Sequence, residues 1–546
     1  MKQTRREFVG TAVAAAALAG TKVSAARADT GPVRLSLAEF FKDDSRVASL
    51  RKGVAAMKAL PASDHRSWFW WAATHAYNGA LYADALKRDP ALARVDRARY
   101  FNQCPHFGQS SADFLIWHRA YVCHFERCLR VMAEDETLAI PYWDYFSDAQ
   151  SRSFPEIFAY RWLDRERSAQ NPLFHPSRDL GFTSGRFELS ANVCEAHNAM
   201  TARNFFSAPG EAGFGGDILD SAHTQLGLIE QRPHNDIHIA VGGVVGDVNG
   251  AMADIPTSAF DPVFWVHHAN IDRMWVMWAA MPGKGWGPLP PESWFDEQPW
   301  VFKDVEGRDV VESRRFYMDR ANLGVRYDSD GPNARPLSLP PRTMAGAGAP
   351  GGAPPVRAIP RLVGAAAPAP TPDMGMPGDM MSTLRSQQSL FADVAPMVVS
   401  PEKPARRTLA AAAPAQAAGG ARPGTLAVPH AAPGARVLLE LSDISFTRVP
   451  SSGFAVYLDP EGATPDNARD YVGLIDLFGA THHDTLGMGG MKAVQRFDVT
   501  KLVSAPGGAF TLRVEPYSLL VSRSGTPAPS RPDAVKIGRV TFVVVT

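Results

Sequence analysis

The sequence predicts a multidomain fold: a mainly α core whose four-helix bundle holds metal, followed by a C-terminal β-sandwich. Three observations predict it. Histidines recur on segments of helical periodicity in the first half of the chain. Between 336 and 434 the composition shifts to Ala, Pro and Gly. From Arg436 onward, short apolar runs alternate with Gly, Pro and Asn turns.

The chain has 546 residues, 45% hydrophobic and 21% charged, enough for a sizeable core in more than one domain. Lys+Arg and Asp+Glu both number 56. That balance argues against a basic nucleic-acid surface. Cys104, Cys123, Cys128 and Cys194 lack the spacing of a disulfide framework.

Residues 1–28 read as a removable signal. Arg5-Arg6 and Phe8 precede a short apolar run, Val9 to Ala19, and Ala26-Arg27-Ala28 offers a cleavage site. The run is too short to anchor a mature chain in a bilayer. Thr4-Arg5-Arg6-Glu7-Phe8-Val9 resembles a twin-arginine signal, so periplasmic or secreted export is expected.

The core is expected over 29–283. A first helix starts from an Asp or Ser cap near Asp64 or Ser67 and reaches His75. A second runs from Phe114 to about Glu134, with Leu115, His118, Val122, Phe125 and Leu129 on one stripe. Pro233 opens a third, to about Val241, and Asp261-Pro262 opens a fourth, from Val263 to Trp278. Residues 284–335 read as an extended coat on the core. Residues 336–434 read as a linker that buries too little apolar surface to offset its ordering entropy. Ser389 to Val399 is an apolar island within it. The strand-rich remainder, 435–546, reads as the sandwich.

The chemistry sits in the histidines. His234 and His238 stand at i and i+4, so both imidazoles project from one helical face. His267-His268 follows about thirty residues later. His75, His106 and His118 supply a second set in the first half. All-imidazole donors favour copper, zinc, iron or nickel over magnesium or calcium. Two three-His sets suggest a metal pair, and the lack of nominated carboxylates tilts it toward redox copper. Asp236 lies between two of the histidines but on another face. His124 reads as structural, and His65, His175, His197, His223, His430, His482 and His483 fall outside the arrangement.

The segments CPHFGQSSADFLIWHRAYVCHFE, PHNDIHIAVGG and DPVFWVHHANIDRMW resemble those of the tyrosinase and polyphenol oxidase family of type-3 copper proteins. Pro291 to Tyr327 is similar to the DWL segment of plant polyphenol oxidases, and Ser452 to Asp459 to their KFDV-type C-terminal domain. The resemblance implies a dicopper site: His75, His106 and His118 on the first copper, and His234, His238 and His268 on the second. The spacing from His106 to His118 is longer than the family's, so the intervening loop must bulge.

It also implies a phenolic substrate and dioxygen as partners, with o-diphenols oxidised to o-quinones and monophenols as further substrates. Glu230 and Asn235 match the pair that holds a water for the phenolic proton. Cys104 stands where some members form a thioether to the second ligand, His106. Ile255 stands where plant enzymes carry a bulky gate. A C-terminal domain of this kind implies latency until a protease cuts within 336–434. The rival readings are a hemocyanin-like dioxygen carrier, an o-aminophenol oxidase of the same fold and, on metal chemistry alone, a dizinc hydrolase.

Overall fold

The computed structural model describes residues 31–330, except 195 and 221–222, and from 387 onward all but 391–396, 401–404, 410–434, 447–449, 461–470, 479–492, 504–509, 530–533 and 546. The expected signal at 1–28 lies outside the described residues. Among those described, no helix is long and apolar enough to cross a membrane.

Five helices set the frame of the core. They are α1 (Asp44–Ala59), α2 (Trp68–His75), α3 (Asp113–Ala133), α4 (Asp236–Gly242) and α5 (Val263–Ala280). The sequence places the second, third and last of these within a few residues. The third expected helix is shorter than Pro233 suggests. Glu230–Asn235 forms a wide turn broken at Arg232 (φ −150, ψ 129), and regular α-helix begins only at Asp236. Proline lacks the amide that an interior helical position needs, so His234 sits on the turn before α4.

Helix α3 is central, packing against both α1 and α5. It is buried almost all round rather than along one stripe. Its charged residues are therefore paired. Arg119 Nε donates to Asp272 Oδ1 of α5 at 2.5 Å, and Arg34 Nε donates to Glu126 at 2.9 Å. Buried ions persist only with partners of this kind.

Of the expected coat, residues 284–330 are described, and side chains from it reach the core. Arg314 donates to both oxygens of Asp113, at 2.6 and 3.0 Å, pinning the coat to the start of α3. Tyr327 OH donates to Asp272 at 2.6 Å.

A short core strand, β1 (Phe187–Leu189), anticipates the second body. There, β2 (Gln387–Leu390), β3 (Met397–Val399) and β4 (Ala405–Leu409) are followed by β5 (Arg436–Ile444), β6 (Ser452–Pro460) and β7 (Tyr471–Ile475). Then come β8 (Ala493–Asp498), β9 (Phe510–Ser518), β10 (Leu520–Ser522), β11 (Val535–Ile537) and β12 (Arg539–Val545). One four-stranded sheet has the order β4-β9-β6-β7 and the other β8-β5-β12-β2.

This corrects the expected linker. Strands β2, β3 and β4 lie inside 336–434, yet each pairs with a strand from beyond 435. The strand-rich body therefore starts by Gln387. Average composition hid these strands because each holds only three to five residues.

The two bodies are joined directly. Strand β10 pairs antiparallel with β1, Leu520 opposite Leu189 and Ser522 opposite Phe187. Arg436 reaches Asp217 of the core at 2.8 Å. Tyr517 OH donates to Asp236 at 2.6 Å, while the Arg232 guanidinium lies 4.4 Å over the Tyr517 ring.

Candidate metal centre

Helix geometry delivers the imidazoles to one place. Ser67 caps α2, its hydroxyl accepting from Trp70 N–H, and His75 closes the last turn. His118 lies in the second turn of α3. Its Nδ1 is 2.8 Å from the Phe114 carbonyl. A carbonyl only accepts, so Nδ1 carries the proton and Nε2 presents a lone pair. His238 does the same, with Nδ1 2.8 Å from the Met252 carbonyl. His234 faces Asn235 Oδ1 through Nδ1 at 2.6 Å.

The halves meet where His268 stacks on His118 with ring centroids 4.2 Å apart; within the second half, His268 Nε2 lies 3.3 Å from His238 Nε2. His234 Nε2 is buried without a hydrogen-bond partner among the described residues. Burial, reinforced by the neighbouring imidazoles, holds His118, His234 and His268 well below the usual histidine range. Burial also pushes His238 down to about 3. These are neutral nitrogen donors in a dry pocket, the donor set that copper accepts.

The donors form three groups. His234, His238, His267 and His268 make one, and His75, Cys104 and His118 the second. His106, His223 and Glu230 make the third. Of the expected first triad, the structure thus brings together His75 and His118. It places the Cys104 thiol beside them, with Sγ 3.9 Å from His118 Nε2. His106 sits across the sulfur, its Nδ1 3.0 Å from Cys104 Sγ and its Nε2 3.1 Å from Glu230 Oε1. The loop after His106 makes its turn at Gly108 (φ +83), which takes up the long spacing to His118.

His267 belongs to the second group, its Nδ1 3.4 Å from Tyr145 OH. His268 is the one stacked on the first half. His124 has its Nε2 3.3 Å from Tyr317 OH. Asp236 does point to another face, where Arg232 and Tyr517 hold it. Ile255 is buried at the start of a short helix, Ile255–Ser258. Phe264 packs directly on the imidazoles, 4.1 Å from His268 and 4.9 Å from His75 between centroids.

Two residues escaped the sequence reading. His223 was set aside, yet its Nε2 lies 2.6 Å from Glu230 Oε1. Burial raises the Glu230 carboxyl, but His223 and the hydrogen bonds from His106 and His223 outweigh it and hold the group down to about 2. Burial lowers His223, and the Glu230 charge outweighs that, raising it to about 9.

The other is Phe478, from the strand-rich body just after β7. Its ring stacks on His238 with centroids 4.1 Å apart, and stands 5.7 Å from both His106 and His234. No local pattern marks either residue, since both arrive through long-range folding.

Residues 65–281 match the family described as the common central domain of tyrosinase. That stretch marks the helical core as a tyrosinase-type domain. The tyrosinase core carries both groups of imidazoles just described.

Tyrosinase HcTyr1 of Hahella sp. is 31% identical over 284 residues, covering 50% of this chain and 58% of that protein. The latent polyphenol oxidase of Prunus armeniaca is 29% identical, covering 59% of this chain and 51% of its own. The chain therefore spans about half the length of the curated relatives it matches. In fold, latent apple tyrosinase matches with a TM-score of 0.54 at 18% identity, over 94% of this chain and 97% of that one. Latent aurone synthase matches at 0.51 and 18% identity, over 95% and 90%. A mainly helical tyrosinase core followed by a strand-rich C-terminal body is thus shared with latent enzymes of the family.

Proposed function

We propose that this exported chain is a polyphenol oxidase: it oxidises o-diphenols to o-quinones with dioxygen, hydroxylates monophenols, and stays latent while its C-terminal sandwich covers the site. The observation that carries this reading is the convergence of neutral imidazoles from four helices on a buried pocket that Phe478 covers.

The four-helix bundle would hold two copper ions, the first through His75, His106 and His118, the second through His234, His238 and His268. Bound copper supplies dioxygen binding and electron transfer. The protein does the rest. Phe114 and Phe264 exclude water around the imidazoles, and the ring-to-ring packing fixes each donor's direction. An aliphatic Ile255 in place of a bulky gate leaves room for larger phenols.

Glu230 and Asn235 would take the phenolic proton through one water. Glu230 Oε2 is buried and has no hydrogen-bond partner among the described residues, and the same holds for Asn235 Nδ2. Both suit an ordered water with two polar partners. Glu230→Gln or Asn235→Ala should lower monophenol hydroxylation about 100-fold, the scale of general base catalysis, with catechol oxidation reduced far less. Oxygen uptake on tyrosine and on a catechol measures both. An unchanged ratio would sink the assignment.

The Cys104 sulfur stands 3.0 Å from the His106 ring, close enough to support a thioether. A tryptic peptide carrying both residues should then be lighter by two hydrogens and resist alkylation. A normally alkylated Cys104 rules the bond out.

The overall test is copper content with oxygen uptake on tyrosine and a catechol, before and after limited proteolysis. A dioxygen carrier shares the centre, and the covered pocket favours it as the second reading. Catechol turnover after the shield is removed decides between them.

A further inference from the structure

We propose that His223 is the positioning residue of the site: it takes up one oxygen of the buried Glu230 carboxylate and so leaves the other without a partner among the described residues. This rests on the reading of Glu230 as the group that accepts the phenolic proton.

The two oxygens of Glu230 are not equivalent. Oε1 accepts from His223 Nε2 at 2.6 Å and lies 3.1 Å from His106 Nε2. Oε2 is buried and has no hydrogen-bond partner among the described residues. A carboxylate in a dry site must have its lone pairs met, and each unmet one is costly. With Oε1 bonded to His223, the side chain cannot rotate without breaking that contact. The free oxygen is then held in one direction, which general base catalysis requires.

The backbone that carries the imidazole is constrained, while the ring's Nδ1 is buried without a hydrogen-bond partner among the described residues. His223 has a left-handed backbone (φ 55), uncommon for a residue with a Cβ. Its N–H donates to the Asp220 carbonyl at 3.2 Å, and the Asp220 carboxylate accepts from Thr224 Oγ1 at 2.8 Å. The loop therefore spends backbone strain on aiming this ring, a pattern that clusters at functional sites. The His223 ring also stands 4.7 Å from that of His106, so it packs behind a candidate ligand while facing the carboxylate. A buried structural ion pair would need none of the asymmetry at Oε2. The geometry requires only that Nε2 carry a proton, which neutral and charged imidazole both allow.

The test uses the full chain, before and after limited proteolysis, with His223→Leu, His223→Gln and Glu230→Gln. Three quantities are read: the ratio of tyrosine to catechol turnover, copper bound per chain, and the carboxylate infrared band that Glu230→Gln removes. His223→Leu should lower the ratio about tenfold, a part of the effect of losing the base. It should also shift the infrared band and leave copper unchanged. His223→Gln, which keeps an N–H donor, should restore most of the ratio. An unmoved band or an unchanged ratio in His223→Leu overturns the proposal. So does loss of copper with both turnovers falling together in both His223 variants, the mark of a structural role. If Glu230→Gln leaves the ratio unchanged, the base reading itself fails and the positioning role falls with it. A band that still shifts in His223→Leu would show that this failure lay with Glu230 and not with the contact.

Discussion

A His238→Ala chain should bind one copper ion instead of two and lose catechol oxidation to background. His238 is fully buried, and its Nε2 faces His268 Nε2 at 3.3 Å. Alanine removes that donor and leaves the Met252 carbonyl without the Nδ1–H that it accepts. An unmet buried carbonyl costs on the order of 1–3 kcal/mol, too little by itself to unfold a domain of this size. The first copper position, built on α2 and α3, keeps its donors. Copper analysis beside a thermal melt separates the outcomes. Two copper ions retained would remove His238 from the ligand set. No copper and no cooperative melt would mean loss of the fold.

The second large effect is a gain. Phe478→Ala in the uncut chain should raise catechol oxidation by about tenfold or more, because a covered form keeps only a minor open population of about 0.1–10%. The ring covers His238 face to face and touches the surroundings of His106 and His234. Alanine opens the mouth of the pocket while the shield stays docked through β10, Arg436 and Tyr517. Limited proteolysis between 331 and 386, upstream of β2, should raise activity further. Steady-state oxygen uptake with and without protease measures both steps. A Phe478→Ala chain as silent as the parent, yet activated by proteolysis, would shift the block to another part of the shield.

How much of this was legible beforehand depends on the distance between the residues involved. The His234–His238 pair and the His267-His268 pair are local, so spacing alone places them on a face. The long helices α3 and α5 follow from sustained apolar periodicity. Pro233 misled by a few residues because its missing amide forces a turn before α4. His106 shows the limit of motif spacing. The loop behind it determines whether Nε2 points at copper or at Glu230, and loop conformation is not periodic. His223 and Phe478 carry no local signal. One reaches the site through a strained loop and the other across some 240 residues of chain, from Phe478 to His238. Strands β2 to β4 hid in an Ala-, Pro- and Gly-rich stretch because pairing partners, not composition, order them.

The pairing of β10 with β1 also bears on what a protease can accomplish. A cut chain still holds its two bodies together by strand hydrogen bonds, by the Arg436–Asp217 ion pair and by the Tyr517–Asp236 bond. What the cut removes is the tether, and with it the effective concentration that a covalent connection provides. Re-covering then becomes bimolecular, so the same nicked preparation would be quiet in a crowded compartment and active when diluted. The released fragment would act as an inhibitor in trans, and adding it back at rising concentration should restore silence along a simple saturation curve.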